Sequence, residues 1–257
     1  MIGAGALLAG VALGGTYLLA EGRLARRGDR WPVPRTTAAV GAAAAVVGAG
    51  LLTVLVAPGP VPDVVHHLLL TMVAPLCLAL SAPVSLALRT LPPGGRRVLL
   101  GLLRGRWARA VTWPPVAAVL EVAGLAVWLG VPAVHAHPWL HGLLVVHMAV
   151  AGWLFSTCVV ALDPLPRVWG VLGRAVVLVV VGAAHGTLAK LDFARGGGDA
   201  AVVLSYGGDV VEVATAVALF AGWYARAGRD LQREVRWRAR HPGAPVALRR
   251  PAGRPGR

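Results

Sequence analysis

The chemistry-bearing side chains of this 257-residue chain cluster in a few places. Asp63 is followed by the adjacent pair His66 and His67, with Met72 one turn further on. His135, His137, His141 and His147 crowd one stretch that also holds Met148, while His185 stands alone and His241 lies near the C-terminus. Asp209 and Glu212 are three residues apart, which puts them on one face of a helix. His141 and Met148 are seven apart and share a face in the same way. Apart from Met1, the two methionines named are the only ones in the chain. Imidazole together with thioether is a ligand set suited to copper, the thioether favouring Cu(I). Nearby carboxylates lower the cost of holding a cation and orient imidazoles as acceptors.

The elements that position these groups are apolar. Hydrophobic residues make up 57% of the chain and charged residues only 14%, against about a quarter charged in a soluble domain. Seven apolar stretches with few charges read as membrane-spanning helices. They cover residues 2–20, 36–57, 64–88, 113–133, 139–162, a shorter one from about 168 to 188, and 206–225. In the sixth, Arg174 is expected to snorkel its guanidinium back to the interface. The fold class is therefore all-α, a polytopic bundle of seven transmembrane helices.

Orientation follows from charge. Of the 25 basic residues, 23 fall between spans one and two, three and four, five and six, or after span seven. Only Lys190 and Arg195 lie on the opposite side. The positive-inside rule then gives an outward N-terminus and an inward C-terminus, which an odd number of spans requires. Seven of the eight histidines fall at the outer edge. The opening stretch lacks a basic leader segment, so it reads as an uncleaved span rather than a signal peptide.

Depth sorts the candidate ligands into two layers. His66, His67, His141, His185 and Asp209 are shallow; Met72, His147, Met148 and Glu212 lie deeper, His147 by roughly 10 Å relative to His141. The main metal candidates are His67, His141, His147 and His185, with His66, Met72, Met148, Asp209 and Glu212 in support. Adjacent helical residues point about 100° apart, so only one of His66 and His67 can face the bundle centre. His135 and His137 lie in a loop beside Pro138 and read as interfacial. An ionisable group inside a span is expensive and is usually functional or paired, which singles out His147 and Glu212. Glu121, in the inner half of span four, has no evident partner and is assigned no role.

The formal charge of +14 would point to nucleic acid in a soluble protein; here the inner rim accounts for it, and arginines beside anionic headgroups gain on the order of 1 kcal/mol each. No nucleic acid is expected as a partner. The chain divides into a transmembrane domain, 1–225, and a basic tail, 226–257, whose Arg-, Pro- and Gly-rich distal part, 243–257, is expected to be disordered. Cys77 and Cys158 lie within spans and imply no disulfide. The Ala- and Gly-rich run 40–50 would let helices pack closely.

Three blocks carry a family resemblance. They are HHLLLTMVAPLCLALSAP at 66–83, HPWLHGLLVVHMAVAGWLFSTCVVALDPLP at 137–166 and YGGDVVEVATAVALFAGWY at 206–224. With them the chain resembles the multi-span CtaG-type cytochrome c oxidase assembly factors of actinobacteria and other Gram-positive bacteria. The spacing of His141 and His147 ahead of Asp163-Pro164 is the most specific part. The resemblance implies a non-catalytic, multi-pass plasma-membrane protein that helps build a haem–copper oxidase, with oxidase subunits as partners and copper as cargo at the outer face. Many relatives carry a methionine before the tryptophan of the last block, where this chain has Gly222. Two alternatives compete. An intramembrane zinc hydrolase would use His67, His141, His185 and Asp209 as ligands, with an open position for water. A copper transporter would need ligands continuing inward, where only Cys77 and Cys158 are available.

The charge asymmetry yields a direct test of topology. A reporter fused after Arg257 is expected to be active only on the cytoplasmic side, and labelling from outside of a cysteine placed in the loop 96–106 would contradict that orientation.

Overall fold

A computed structural model describes residues 2–241, and these contain twelve α-helices, two π-turns and no strand. The helices are α1 Ile2–Arg26, α2 Val33–Leu55, α3 Pro60–Leu68, α4 Ala74–Ser81, α5 Pro83–Thr90, α6 Pro93–Arg104 and α7 Arg106–Val111. They continue with α8 Pro114–Gly130, α9 Pro132–Ala136, α10 Pro138–Val160, α11 Val171–Asp192 and α12 Gly198–Arg240. Proline opens most of them, at Pro34, Pro60, Pro83, Pro93, Pro114, Pro132 and Pro138. A first-turn residue needs no amide proton, and the fixed φ suits the helix.

Five helical stretches are long and apolar enough to cross a membrane by length and composition: Gly3–Arg26, Val33–Leu55, Pro60–Ser81, Pro138–Val160 and Val171–Trp237. The last runs through α11 and α12, which are separated by a kink where Gly196 and Gly198 take φ of 100° and 53°. α8 is apolar but has only 17 residues, about 26 Å against a hydrocarbon core of about 30 Å.

α1 packs on α2, α2 on α4, α10 on α4 and α8, α11 on α8 and α12, and α12 on α3. Small residues set the close contacts. Ala39, Ala42, Ala45, Ala49 and Gly50 form the buried stripe of α2, the role expected of the run 40–50. A Cβ at Gly50 would stand 2.9 Å from the Gly3 carbonyl oxygen, so the α1 and α2 backbones nearly touch there. At one end of the molecule Val64, Leu68, Trp128, Val134 and Leu204 gather α3, α8, α9 and α12 into an apolar cluster. Tyr17, Leu24, Trp31, Ala39 and Leu86 make another cluster beside the arginines that precede α2 and follow α5.

Several boundaries depart from the sequence expectation. The stretch 64–88 is not one helix. Between α3 and α4 lies the π-turn Leu69–Val73, in which the Ala74 amide donates to the Leu69 carbonyl; Pro75 has no amide for the Thr71 carbonyl, and the wider turn relieves the clash its ring would cause. The helix then ends outright at Ser81. Ala82 sits in the left-handed region, φ 52° and ψ 57°, because the residue before a proline is driven out of the right-handed helix. Such a conformation costs an alanine roughly 1–2 kcal/mol, and Asp163 compensates. Its carboxylate accepts from the Val84 amide at 3.2 Å, the Ser85 amide at 2.7 Å and the Ser85 hydroxyl at 2.7 Å. The Asp163-Pro164 step therefore caps a helix 79 residues earlier in the chain.

Arg174 does not snorkel. It is 4% exposed, and its Nη1 donates to the Val159 and Val160 carbonyls at 2.8 and 3.4 Å. α10 ends there with Ala161 left-handed at φ 51°, so its last carbonyls have no amide partners within the helix. An internal guanidinium satisfies them better than distant water would. α11 starts at Val171, later than the expected 168. α1 continues to Arg26, beyond residue 20. The seventh stretch, 206–225, is the middle of a 43-residue helix that carries the first part of the basic tail; the expected disorder of 243–257 falls outside the described residues.

Asp163→Ala is expected to lower stability by about 1–3 kcal/mol, since it strands two partly buried amides. Thermal unfolding of the purified variant in detergent measures this, and an unchanged midpoint would remove the capping role.

Candidate functional site

Between the apolar cluster around Trp128 and a second one around Phe155, Leu178 and Val181 lies a cavity of about 30 Å³. Its polar lining is His67, Thr71, Glu121, Ser156, His185, Glu212 and Thr215, and both thioethers, Met72 and Met148, face it as well. A water needs about 10–15 Å³ of such space. The cavity therefore admits a water or two or a small ion, and not an acyl chain.

The π-turn and its proline place His67, Thr71 and Met72 on the cavity wall. A Cβ on Gly152 of α10 would overlap the Thr71 carbonyl and stand 3.3 Å from Pro75, so glycine is what allows α10 to press against this turn. His67 is 5% exposed. Its ring stacks on Trp128 with centroids 4.7 Å apart and planes 9° apart. The Thr71 hydroxyl donates to the His67 carbonyl at 3.0 Å and lies 3.3 and 3.4 Å from the two ring nitrogens. Met148 reaches the cavity across Gly124 of α8, where a Cβ would come within 2.6 Å of Met148 Cγ.

α11 and α12 meet through a reciprocal arrangement. The His185 ring lies over Gly208 of α12, and the Glu212 carboxylate lies over Gly182 of α11; a Cβ at either glycine would overlap the side chain seated on it. The two side chains come together with His185 Nδ1 3.7 Å from Glu212 Oε1. That separation is too long for a hydrogen bond, and the contact is an ion pair only when the His185 ring is protonated. Neither His185 nitrogen, nor Glu212 Oε1, nor Glu121 Oε2 has a hydrogen-bond partner, although all four are buried. Buried polar atoms are almost always paired, and these four unpaired ones belong to three residues that line one small space.

A second group lies outside the cavity. His135 Nε2 donates to the Trp128 carbonyl at 2.8 Å, with its ring 5.8 Å from the Trp128 ring and 6.0 Å from that of His141. The half-buried His141 and the buried His66 interact electrostatically with each other and with Asp63. Trp128 is in ring contact with both His67 and His135 and so stands between the two groups.

Of the candidates taken from the sequence, His67, His185, Met72, Met148 and Glu212 line the cavity. His66 and His141 belong to the outer group. Asp209 is exposed, close enough to act electrostatically on His185 and Glu212. His147 is exposed on the side of the bundle. The sequence reading put both His147 and Met148 in the deep layer, yet consecutive helical residues diverge by about 100°, and Met148 is the one turned inward. Glu121, which had been given no role, is on the cavity wall. Its signal was present: a lone carboxylate in the middle of an apolar run. Among the described residues no three His, Cys, Asp or Glu side chains stand close enough to hold an ion together.

Comparison with known proteins places this geometry in context. The family described as cytochrome c oxidase caa3 assembly factor (Caa3_CtaG) matches residues 15–195. Uncharacterized proteins of Mycobacterium bovis and Mycobacterium tuberculosis are each 35% identical over 189 residues, 67% of this chain and 28% of theirs. One from Mycobacterium leprae is 28% identical over 194 residues, 70% of this chain and 29% of its own. The chain thus spans less than a third of the length of these relatives. No solved structure matches it.

The glycine seats can be tested on one helix. Gly182→Ala is expected to destabilise the protein by about 1–3 kcal/mol through overpacking against Glu212. Gly186→Ala, with nothing within 4 Å of the new methyl, is expected to be neutral or to stabilise by up to about 1 kcal/mol through helix propensity. Equal effects in thermal unfolding would contradict the seating of Glu212.

Proposed function

The chain belongs to the cytochrome c oxidase caa3 assembly factor family, and from that premise we propose that it helps mature a haem–copper oxidase by handling copper as cargo. The observation that carries this reading is the cavity. Two imidazoles, His67 and His185, and two thioethers, Met72 and Met148, open onto one space with the carboxylates of Glu121 and Glu212. Thioether and imidazole favour Cu(I) over harder ions, and carboxylates in an apolar surrounding favour any cation. His185 and Glu212 present buried polar atoms that nothing in the protein satisfies. A set of this kind, with paired rather than cage-like ligands, suits an ion that is held briefly and passed on. The outer group of His66, His135, His141 and Asp63 would be the first to meet copper, with Trp128 between it and the cavity.

In this reading α1, α2, α3 with α4, α8, α10, α11 and α12 are seven spans in the plasma membrane, N-terminus out and C-terminus in. The arginine distribution supports that direction and puts the histidine-bearing end at the extracytoplasmic face, where oxidase subunits are the partners. The zinc-hydrolase reading has weaker support. Its ligand set, His67, His141, His185 and Asp209, is divided between the cavity, the outer group and an exposed position, and the cavity is too small for a lipid chain.

His185→Ala and His67→Ala are expected to lower cytochrome c oxidase activity several-fold in cells limited for copper, with added copper restoring part of it by mass action. His147→Ala, which alters an exposed residue, is expected to retain near wild-type activity. Wild-type oxidase levels in stably inserted His67→Ala and His185→Ala strains under copper limitation would overturn the proposal.

A further inference from the structure

At the arginine-bearing end, far from the histidines in every helix, lies an open pocket of about 630 Å³ lined by Asp29, Arg35, Ser85, Leu88, Arg89 and Arg96. Its volume falls in the range of small-molecule sites, about 300–1,000 Å³. The guanidiniums are held in place. Trp31 is 9% exposed, and Arg35 and Arg89 stack on its ring at 4.9 and 5.6 Å from the centroid. The ring in turn is fixed, because its Nε1 donates to the Tyr17 hydroxyl at 2.9 Å and that hydroxyl donates to the Ser81 carbonyl at 2.7 Å. Arg27 donates to the Arg89 carbonyl at 3.3 Å, which anchors the backbone that carries Arg89.

Charge is not balanced in this pocket. Three arginines face one carboxylate, Asp29, and none of the three forms an ion pair with an acidic residue among those described. The Ser85 hydroxyl proton is already donated to Asp163, so the arginines supply the donors. Planar guanidiniums fixed by an aromatic plate, with their donors free, are suited to phosphate. The adjoining helix α6 buries none of its residues. It carries Arg96, Arg97 and Arg104 together with the exposed apolar Val98 and Leu102, 65% and 66% exposed, and Trp107 follows at 83%. A basic helix with an uncovered apolar side lies in a membrane interface.

We propose that this pocket binds a phosphate group, carried by the headgroup of an anionic phospholipid whose chains lie against α6. The site would fix one lipid where the α1–α2 and α5–α6 connections meet, and thereby hold the two sides of the pocket together. It differs from the general attraction of basic residues to the membrane surface in requiring Arg89 and Arg96 in particular.

The test uses the full-length protein purified in a neutral detergent and followed by thermal unfolding. Phosphatidylglycerol is expected to raise the midpoint by several degrees and phosphatidylcholine to leave it unchanged. Arg89→Gln with Arg96→Gln is expected to abolish most of the shift. Arg104→Gln with Arg106→Gln removes the same charge outside the pocket and is expected to keep it. Arg96→Gln alone, an exposed side chain away from the Trp31 stack, gives a partial loss and serves if the double variant fails to fold. A matching shift with inorganic phosphate alone would keep the phosphate site and assign it to a free anion instead of a lipid. Equal shifts in the pocket variants and the wild type, or equal losses in the two double variants, would overturn the proposal.

Discussion

A polar pair set between two apolar helices is the feature on which the site depends. His185 and Glu212 face each other across the α11–α12 contact at 3.7 Å, and each is seated over a glycine of the opposite helix. Polar groups in such surroundings are tolerated only when they have partners or line a cavity. Here the glycines bring the helices close enough for the pair to form and leave its remaining atoms facing the cavity. Every other cavity residue is arranged relative to this pair. Glu121 comes from α8, the two thioethers from the π-turn and α10, and His67 from the end of α3.

Several polar side chains of the rest of the bundle have visible structural work. Arg174 closes the end of α10, Asp163 caps α5, and Tyr17 and Trp31 tie α1 and its loop to the Ser81 carbonyl. Around the cavity the unpartnered atoms are concentrated. Of the ten unpartnered buried polar atoms among the described residues, four belong to Glu121, His185 and Glu212. The other six belong to six different residues, whereas these four converge on one small cavity, which has room for something other than the protein itself. That convergence, more than the number of histidines, supports a working site.

The sequence made the helical bundle legible because its signal, long uncharged runs between arginine clusters, is one of composition. It also made the shared end of the histidines legible, since depth along a helix follows from residue number. It could not show which way each side chain turns. His147 and Met148 are neighbours in one apolar run, and both approach Gly124, yet only the methionine is buried. The breaks at Ala82 and Ala161 were hidden for a related reason. Both are alanines in left-handed conformation, and their stabilising partners, Asp163 and Arg174, come from other elements, 78–79 and 14–15 residues from the groups they meet. Arg174 looked like a flaw in a weak span, and proved to be what closes the preceding helix. Glu121 was visible as an anomaly but needed the fold to supply its neighbours.

The most direct measurement is X-ray absorption on the purified protein after loading with Cu(I) under anaerobic conditions. Retained Cu(I) with mixed sulfur and nitrogen neighbours, losing the sulfur contribution when Met72 and Met148 are both replaced by leucine, is the result this account predicts. Correctly folded protein that retains no Cu(I), or holds it with an unchanged spectrum in the methionine variant, would contradict it.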